Sequence, residues 1–465
     1  MTLVALYSRA LGLLSEERQL SLMLAAAGVV IAVVQLAEPI LFGRVVDALA
    51  KGQDAFPTIG LWAALGLFGI IASTIVAVLA DRLAHRRRLA IMAQAFEQGA
   101  RLPMTYHAER GSGAVVSSIL WGTDGLFWLW LSALREQLTA VISVILLIPT
   151  AISLDWRMTL ILAALALAYT LMNVYVIRRT SEGQNQVETI RTNVSGRVGD
   201  VLGNVVVVQS YARLGMEVQA MRGLIGDLLS AQYPVLTWWG VLTVLQRSAA
   251  TIAMVLVFAI GALLASRGEL TVGEIVAFVA FANLLISKLD QISGFVVRIH
   301  QGAPALRNLF ALLDEKPSIE DAKDARPIPG VAGAVAFEGV SYRFPRTDQG
   351  IFDVSFAARP GETVALVGPT GSGKTTTLSL LQRLRAPDAG RITVDGHDIA
   401  GVTLDSLRRE ISVVFQDAGL FNRSIADNIR VGRPDATDAE VEQAARLAEY
   451  YTATEFSPVR SVAQA

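Results

Sequence analysis

Cysteine is absent from all 465 residues, which excludes disulfides, thiolate nucleophiles and cysteine-based metal sites at the outset. Histidine is nearly as scarce: His85, His107, His300 and His397 are scattered and share no metal-ligand spacing. Excess charge of one sign is also missing. Lys and Arg number 40 against 41 Asp and Glu, a formal net charge of -1, so the chain carries no electrostatic footprint for nucleic acid, and no nucleic-acid partner is expected. Charge of either sign is sparse, at 17% of residues. What fills its place is apolar: 53% of residues are hydrophobic, and the mean hydropathy is +0.47. That much apolar surface needs more than a small soluble core, and a membrane is the simplest place to bury it. The first apolar run follows Glu16, Glu17 and Arg18 and lacks a small-residue cleavage site, so it reads as a retained span and not as a removable signal.

A helix needs roughly 20 residues to cross a hydrocarbon core of about 30 Å. Leu20–Ala37, Thr58–Ala80, Gln137–Leu154, Met158–Ile177 and Ser248–Ser266 contain no Asp, Glu, Lys or Arg and are of helical length. A sixth stretch, Val272–Val297, includes Glu274, Lys288 and Asp290 and is accepted as the last span. Two long connections gather arginine: Arg82, Arg86, Arg87, Arg88, Arg101 and Arg110 after the second span, and Arg178, Arg179, Arg191, Arg197, Arg213 and Arg222 after the fourth. Cytoplasmic loops carry such an excess, so both belong in the cytoplasm, and these arginines are read first as topology determinants. The links Asp155-Trp156-Arg157 and Arg267-Gly268-Glu269 are little more than turns and face outward. With an even number of spans, both termini share the cytoplasmic side.

Composition turns polar and Pro/Gly-rich between Ala303 and Gly333, as in Asp314-Glu315-Lys316-Pro317 and Arg326-Pro327-Ile328-Pro329-Gly330, which marks an interdomain linker. Beyond it, β-prone runs alternate with turns: Val335–Phe337, Val340–Phe344, Ile351–Ala357, Thr363–Val367, Ile392–Val394 and Ile411–Phe415. After Thr363–Val367 comes Gly368-Pro369-Thr370-Gly371-Ser372-Gly373-Lys374-Thr375, a full P-loop pattern, followed by Thr376 and an apolar-periodic helix through Leu384. Glycine is needed there because backbone N–H groups must approach phosphates without a Cβ in the way, and the helix N-terminus adds the positive end of its dipole. Lys374 is placed to hold the β- and γ-phosphates of ATP. The Thr375 hydroxyl is placed to ligate Mg²⁺, a hard cation that prefers oxygen.

Six spans with long cytoplasmic connections, a linker and a P-loop domain together resemble one half of an ABC exporter. The resemblance implies further roles. Val414-Phe415-Gln416-Asp417 is similar to that family's Q-loop, whose Gln reaches Mg²⁺ and the attacking water while its backbone contacts the membrane domain; Gln416 takes that place here. Val340-Ser341-Tyr342-Arg343-Phe344 resembles the aromatic loop that stacks on adenine. The family's usual Tyr falls at Phe344, which keeps the stacking face and loses the hydroxyl; Tyr342 is the fallback, and either could be strand core. Within the family, five stretches resemble the bacterial cyclic β-(1→2)-glucan export ATP-binding/permease proteins: Leu36–Val46, Asp81–Arg88, Val207–Tyr211, Leu289–Ser293 and Val414–Arg430. They are not general ABC motifs, and the similarity runs to about Glu449. The resemblance implies a cyclic glucan as substrate, a second identical or full-length half-transporter as partner, and the bacterial inner membrane as location.

Sugar faces stack on aromatic rings, which makes Trp121, Phe127, Trp128, Trp130, Trp238 and Trp239 candidates for a sugar pathway; the alternative, that such residues mark the membrane interfaces, stands beside it. Lys288 and Asp290 either face a cavity or partner or reach the interface by snorkelling. The family's signature segment of LSGGQ type, its Walker B Asp with the catalytic Glu, and its switch His do not occur after Gln416. The family pattern is followed through the helix Asp438–Glu449 and left from Tyr450 to Ala465, which reads as a truncated or frameshifted end. Nucleotide binding without turnover is the expectation, with sheet edges left open beside the P-loop strand.

The fold class expected is membrane α-helical, with six transmembrane helices arranged as in a type I ABC exporter, plus an α/β P-loop nucleotide-binding domain incomplete at its C-terminus. The expected domains are 1–302 transmembrane, 303–333 linker, 334–449 partial nucleotide-binding domain and 450–465 divergent tail. The leading function is ATP-driven glucan export; the competing readings are a non-catalytic nucleotide-binding membrane protein, export of a lipid or lipopolysaccharide precursor, and a membrane-tethered P-loop kinase, against which the Q-loop match argues.

Overall fold

The computed structural model describes residues 2–317, 319–344, 347–415 and 419–448. They form two compact units: the first joins the chain up to Arg101 with Arg110–Glu315, the second joins Leu102–Glu109 with the chain from Lys316 onward.

The first unit is helical throughout. A short α1 (Leu3–Gly12) and a 3-10 turn (Leu13–Glu17) lead into α2 (Arg18–Ala50) and α3 (Phe56–Arg101); the short α4 (Met104–Arg110) that follows belongs, up to Glu109, to the second unit. Then come α5 (Ser112–Ser132), a π-helical turn at Ala133–Gln137 and α6 (Leu138–Ile152), read together as one rod, then α7 (Trp156–Gly203), α8 (Val205–Ser210), α9 (Leu214–Ser266) and α10 (Val272–Asp314). Among the described residues six helices are long and apolar enough to cross a membrane, at Leu3–Ala50, Phe56–Arg101, Gly113–Ile152, Trp156–Gly203, Leu214–Ser266 and Val272–Asp314. Each expected span lies inside one of them, save that Ser153 and Leu154 fall in the turn after the third. At 40 to 53 residues they are about twice the length a bilayer needs, so each continues well beyond it. Apolar faces of α2, α6, α7, α9 and α10 meet in a core that includes Leu147, Met158, Leu162, Tyr169, Val257, Phe278 and Phe281.

The short turns are closed by side chains. Asp155 caps α7 by accepting from the Arg157 and Met158 N–H groups at 2.8 and 3.0 Å. Thr271 and Glu274 form a capping box at the start of α10. An Arg157–Glu269 ion pair ties the two turns to each other. At the same end of the bundle, Asp47 of α2 accepts from Thr271 Oγ1 at 2.6 Å and from the Gly273 N–H at 2.7 Å. Gly43 and Gly273 let the α2 and α10 backbones touch there.

Two expectations about the membrane half are corrected. Composition places the start of the linker at residue 303, but α10 continues to Asp314 because Leu306, Leu309, Phe310 and Leu312 carry the apolar period onward and are buried. Trp130 and Phe127 are not available to a sugar. Trp130 is fully buried, and its Nε1–H donates to the Ala10 carbonyl at 2.8 Å; Phe127 is buried beside His85, with ring centroids 4.4 Å apart. Trp121 and Trp128 are exposed. Lys288 is buried within the helices, whereas Asp290 is exposed.

The second unit is built on an antiparallel sheet of order β2-β1-β3-β4, from β1 (Val335–Arg343), β2 (Gly350–Ala358), β3 (Ala389–Val394) and β4 (His397–Asp398). Phe337 of β1 lies opposite Phe356 of β2, the rings stacked 4.6 Å apart, a cross-strand aromatic pair that fixes register. Short helices follow: α11 (Lys374–Leu381), α12 (Leu404–Arg409), α13 (Ile425–Ile429) and α14 (Asp438–Leu447). The core holds Phe337, Val340, Tyr342, Ile351, Leu380, Ile392 and Leu407.

The later part of the expected linker is stitched to this unit and is no free tether. Asp395 accepts from the N–H groups of Ala332 (2.6 Å), Gly333 (3.2 Å) and Ala334 (2.8 Å), and those bonds, Ala334 foremost, hold its carboxyl below the usual range. The Ile328 N–H donates to Ser406 Oγ at 3.0 Å. Arg383 is buried and donates to the carbonyls of Val402 (2.6 Å) and Glu320 (3.1 Å); burial pulls its pKa down, and Asp321 opposes that.

A further correction concerns the strands. The residue pattern predicts strands at Thr363–Val367 and Ile411–Phe415, yet among the described residues neither enters a ladder. A strand is stabilised by its neighbours, and neither run has a backbone pairing partner among the described residues. Val367 is 89% exposed and Val414 100% exposed.

Candidate functional site

The P-loop pattern folds as a loop entering a helix. Gly368-Pro369-Thr370-Gly371-Ser372 turns without regular structure, Gly373 adopts the left-handed region at φ 92°, and α11 starts at Lys374. Glycine is obligatory at 373 on two counts. L-residues avoid that φ, and a Cβ there would collide with Cγ2 of Ile351. Ile351 in turn pairs with Tyr342 across β1 and β2, so the hairpin carrying the aromatic loop is the wall on which the P-loop rests.

Lys374 folds back over its own loop. Its Nζ donates to the carbonyls of Gly368 and Pro369, both at 2.9 Å, and to Ser372 Oγ at 3.4 Å. A cation is therefore held at the loop's centre by weak neutral acceptors, which a phosphate oxygen would outcompete by charge. Thr375 is exposed beside it, and its hydroxyl forms no hydrogen bond among the described residues. Thr376 is half-buried, and its carbonyl accepts from Ser379 Oγ at 2.7 Å; Thr377, buried one residue on, bonds its hydroxyl to the Gly373 carbonyl at 3.0 Å and braces the first turn. An ammonium, an unengaged hydroxyl and the N-terminal N–H groups of α11 converge, a donor set that fits a polyphosphate with an oxygen-ligated Mg²⁺.

The two aromatic candidates separate. Tyr342 is core: it is 7% exposed, and its hydroxyl accepts from Arg385 Nη1 at 2.7 Å. Phe344 lies just past the end of β1, half-buried, edge-on to Tyr342 at 5.3 Å. The Arg385 guanidinium sits 4.9 Å from the Phe344 ring centroid. Nothing in the sequence distinguishes Arg385 from other arginines; its part emerges only because it follows α11 and returns to the end of β1. Gln416 lies outside the described residues, as do Asp417 and the tail from Glu449.

Comparison with known proteins covers both units. Residues 21–289 match the family "ABC transporter transmembrane region", and residues 351–462 match the family "ABC transporter". The beta-(1-->2)glucan export ATP-binding/permease protein NdvA of Bradyrhizobium diazoefficiens is 45% identical over 454 residues, spanning 97% of this chain and 75% of the relative. The protein of the same name from Agrobacterium fabrum is 44% identical over 456 residues, 98% of this chain and 77% of the relative. A bacterial Atm1-family ABC exporter solved with ATP bound superposes with a TM-score of 0.83 at 25% identity, covering 96% of this chain and 80% of that one.

Proposed function

The chain belongs to the ABC exporter family of multi-pass membrane ATPases, and from that premise we propose that it exports cyclic β-(1→2)-glucan across the bacterial inner membrane as one half of a homodimer. The observation that carries the substrate is the 45% identity to a glucan exporter over 97% of the chain, membrane half included, since that half meets the cargo. Orientation follows from arginine. The connections holding Arg82–Arg110 and Arg178–Arg222 lie in the cytoplasm with the N-terminus and the nucleotide-binding domain, and the turns at Asp155 and Gly268 lie outside. In domain terms, 1–302 with the rest of α10 forms the membrane domain, and 334–449 forms the nucleotide-binding part.

In this reading each site residue has one task. Phe344 stacks on the adenine. Backbone N–H groups from Gly368 to Thr376 surround the phosphates; Lys374 exchanges the Gly368 and Pro369 carbonyls for β- and γ-phosphate oxygens, and Thr375 offers its hydroxyl to the metal. Gln416, by its place in the Q-loop match, would ligate Mg²⁺ and position water. Bound MgATP supplies the phosphoanhydride whose cleavage drives transport. Together these side chains hold the P-loop side of a composite nucleotide site.

The test is ATP binding and hydrolysis by the purified chain in detergent, with Lys374→Ala as control. Nucleotide binding that is lost in the variant supports the P-loop assignment. Binding that survives Lys374→Ala overturns it. In a full-length relative, ATPase stimulated by a lipopolysaccharide precursor and not by cyclic glucan would reassign the substrate.

A further inference from the structure

The middles of α7 and α9 and the later part of α10, with Leu3 of α1, line an open cavity of about 270 Å³. Its lining is mixed in a specific way. Trp239 of α9 presents a half-buried indole, and three primary amides share the lining with it: the half-buried Gln184 and the exposed Asn185 from α7, and the exposed Gln301 from α10. None of these amides makes a side-chain hydrogen bond among the described residues. Arg307 is the single formal charge in the lining. The sequence places this cavity on a continuing polar seam. On α7, Asn173 precedes Gln184 by about three turns on one face, and on α10, Ser293 precedes Gln301 by about two. Asn173 Nδ2 donates to Ser293 Oγ at 2.8 Å, and Gln246 Nε2 of α9 reaches the same oxygen at 3.4 Å.

Asn173 and Ser293 lie within the spans, where polar side chains are costly and usually face a partner or a cavity; Gln184 and Asn185 continue that seam on the cytoplasmic side. The chemistry here selects among cargoes. A primary amide donates and accepts at once, which matches the vicinal hydroxyls of a sugar, and an indole offers a flat face to the C–H side of a pyranose. An apolar ligand would strip water from each amide it covers without replacing the hydrogen bonds, at about 1–3 kcal/mol for each one buried. An anionic lipid headgroup would call for several cations, and the lining holds one guanidinium. The volume falls just below the roughly 300–1,000 Å³ of drug-sized pockets, room for roughly one or two sugar units and not for a whole glucan ring.

We propose that this cavity is a subsite for a neutral sugar unit of the cargo, with Trp239 as the stacking platform and Gln184, Asn185 and Gln301 as the hydroxyl readers. The proposal rests on the glucan reading above and deepens it, because it assigns the recognition to one protomer's α7, α9 and α10. A glucan ring larger than the cavity would be gripped by a segment, so ring size would be read weakly and linkage strongly.

The experiment is isothermal titration of cyclic β-(1→2)-glucan into the full chain in lipid nanodiscs, with nucleotide affinity of each variant as the measure of intact folding. Trp239→Ala and Gln184→Leu are each expected to weaken glucan binding about tenfold or more, with nucleotide affinity unchanged, and Trp239→Phe to keep binding within about threefold because it retains a ring face. Unchanged glucan affinity in both Trp239→Ala and Gln184→Leu overturns the subsite while leaving the glucan reading intact. No glucan binding by the unsubstituted chain overturns the glucan reading, and the subsite with it. Preference for a lipid A fragment, lost in Arg307→Gln, overturns the assignment to a neutral sugar.

Discussion

Gly273→Ala tests whether α2 and α10 are locked together at the short-turn end of the bundle. A Cβ at residue 273 would lie 2.7 Å from Asp47 Oδ1 and nearer still to the Gly43 carbonyl oxygen, well inside contact distance. Both obstacles are fixed: one is backbone, the other a carboxylate already committed to two hydrogen bonds. Relief requires the helices to part by about 1 Å, given that unforced C···O contacts run at about 3.3–3.6 Å. Parting stretches the bonds from Thr271 Oγ1 and the Gly273 N–H beyond hydrogen-bonding range, at about 1 kcal/mol each, on top of an overpacking strain of about 1–3 kcal/mol. Alanine returns up to about 1 kcal/mol of helix propensity. The net expectation is a destabilisation of about 2–4 kcal/mol. Thermal unfolding in detergent reads it against Gly240→Ala in α9, where a Cβ meets nothing within 4 Å and the same propensity gain should leave the melting temperature level or slightly raised. Equal melting temperatures for the two variants would refute the contact. Asp47→Ala combined with Gly273→Ala should cost less than the sum of the single changes, because both break the same bonds.

Other consequences can be measured independently. Gly373→Ala forces a left-handed backbone onto alanine and drives its methyl into Ile351, so nucleotide affinity should fall at least about 100-fold in a fluorescent-nucleotide titration while the membrane helices keep their circular dichroism. Arg383→Met leaves the Val402 and Glu320 carbonyls without their donor and should lower the stability of the second unit by about 3 kcal/mol, read by limited proteolysis in denaturant. Because Asp395 titrates below its unfolded value of about 3.9, its contribution is complete above that pH and is lost as pH falls through the lower folded value; Asp395→Asn should flatten acid unfolding below about pH 4, and an unaltered acid limb would count against the three backbone bonds. Trp130→Phe keeps most of the ring volume but strips the Ala10 carbonyl of its partner, predicting a loss of about 1–3 kcal/mol and release of α1 in hydrogen exchange.

The spans are legible in the sequence because a bilayer imposes a composition on each local run, and Asp155, Arg267 and Glu269 mark the turns between them where the links are shortest. The P-loop is legible for a related reason: its glycines and Lys374 act within eight consecutive residues. What escapes is set by distant neighbours. Trp130 looks like a sugar platform until Ala10, 120 residues earlier, claims its N–H. Tyr342 and Phe344 are interchangeable as candidates until the hairpin buries one and leaves the other at its end. Thr363–Val367 and Ile411–Phe415 have strand composition, yet composition does not supply a partner. The onset of the linker is misplaced because polar residues at the start of a long amphipathic helix tail resemble a loop when the buried Leu306, Leu309 and Phe310 are not seen together.

The bond network at the short-turn end also acts as a fulcrum. The 53 residues of α9 make a rod of about 80 Å at about 1.5 Å per residue. A rod of that length, pivoted at one end and tilted by about 10°, sweeps its far end through about 14 Å, whereas the pivot itself stays within hydrogen-bond tolerance. Gearing of this kind lets Asp47, Arg157, Glu269 and Thr271 keep their partners through a stroke that opens or closes the far end by several side-chain widths. It also means that an ångström of slack introduced at the fulcrum is multiplied along the rod into lost motion.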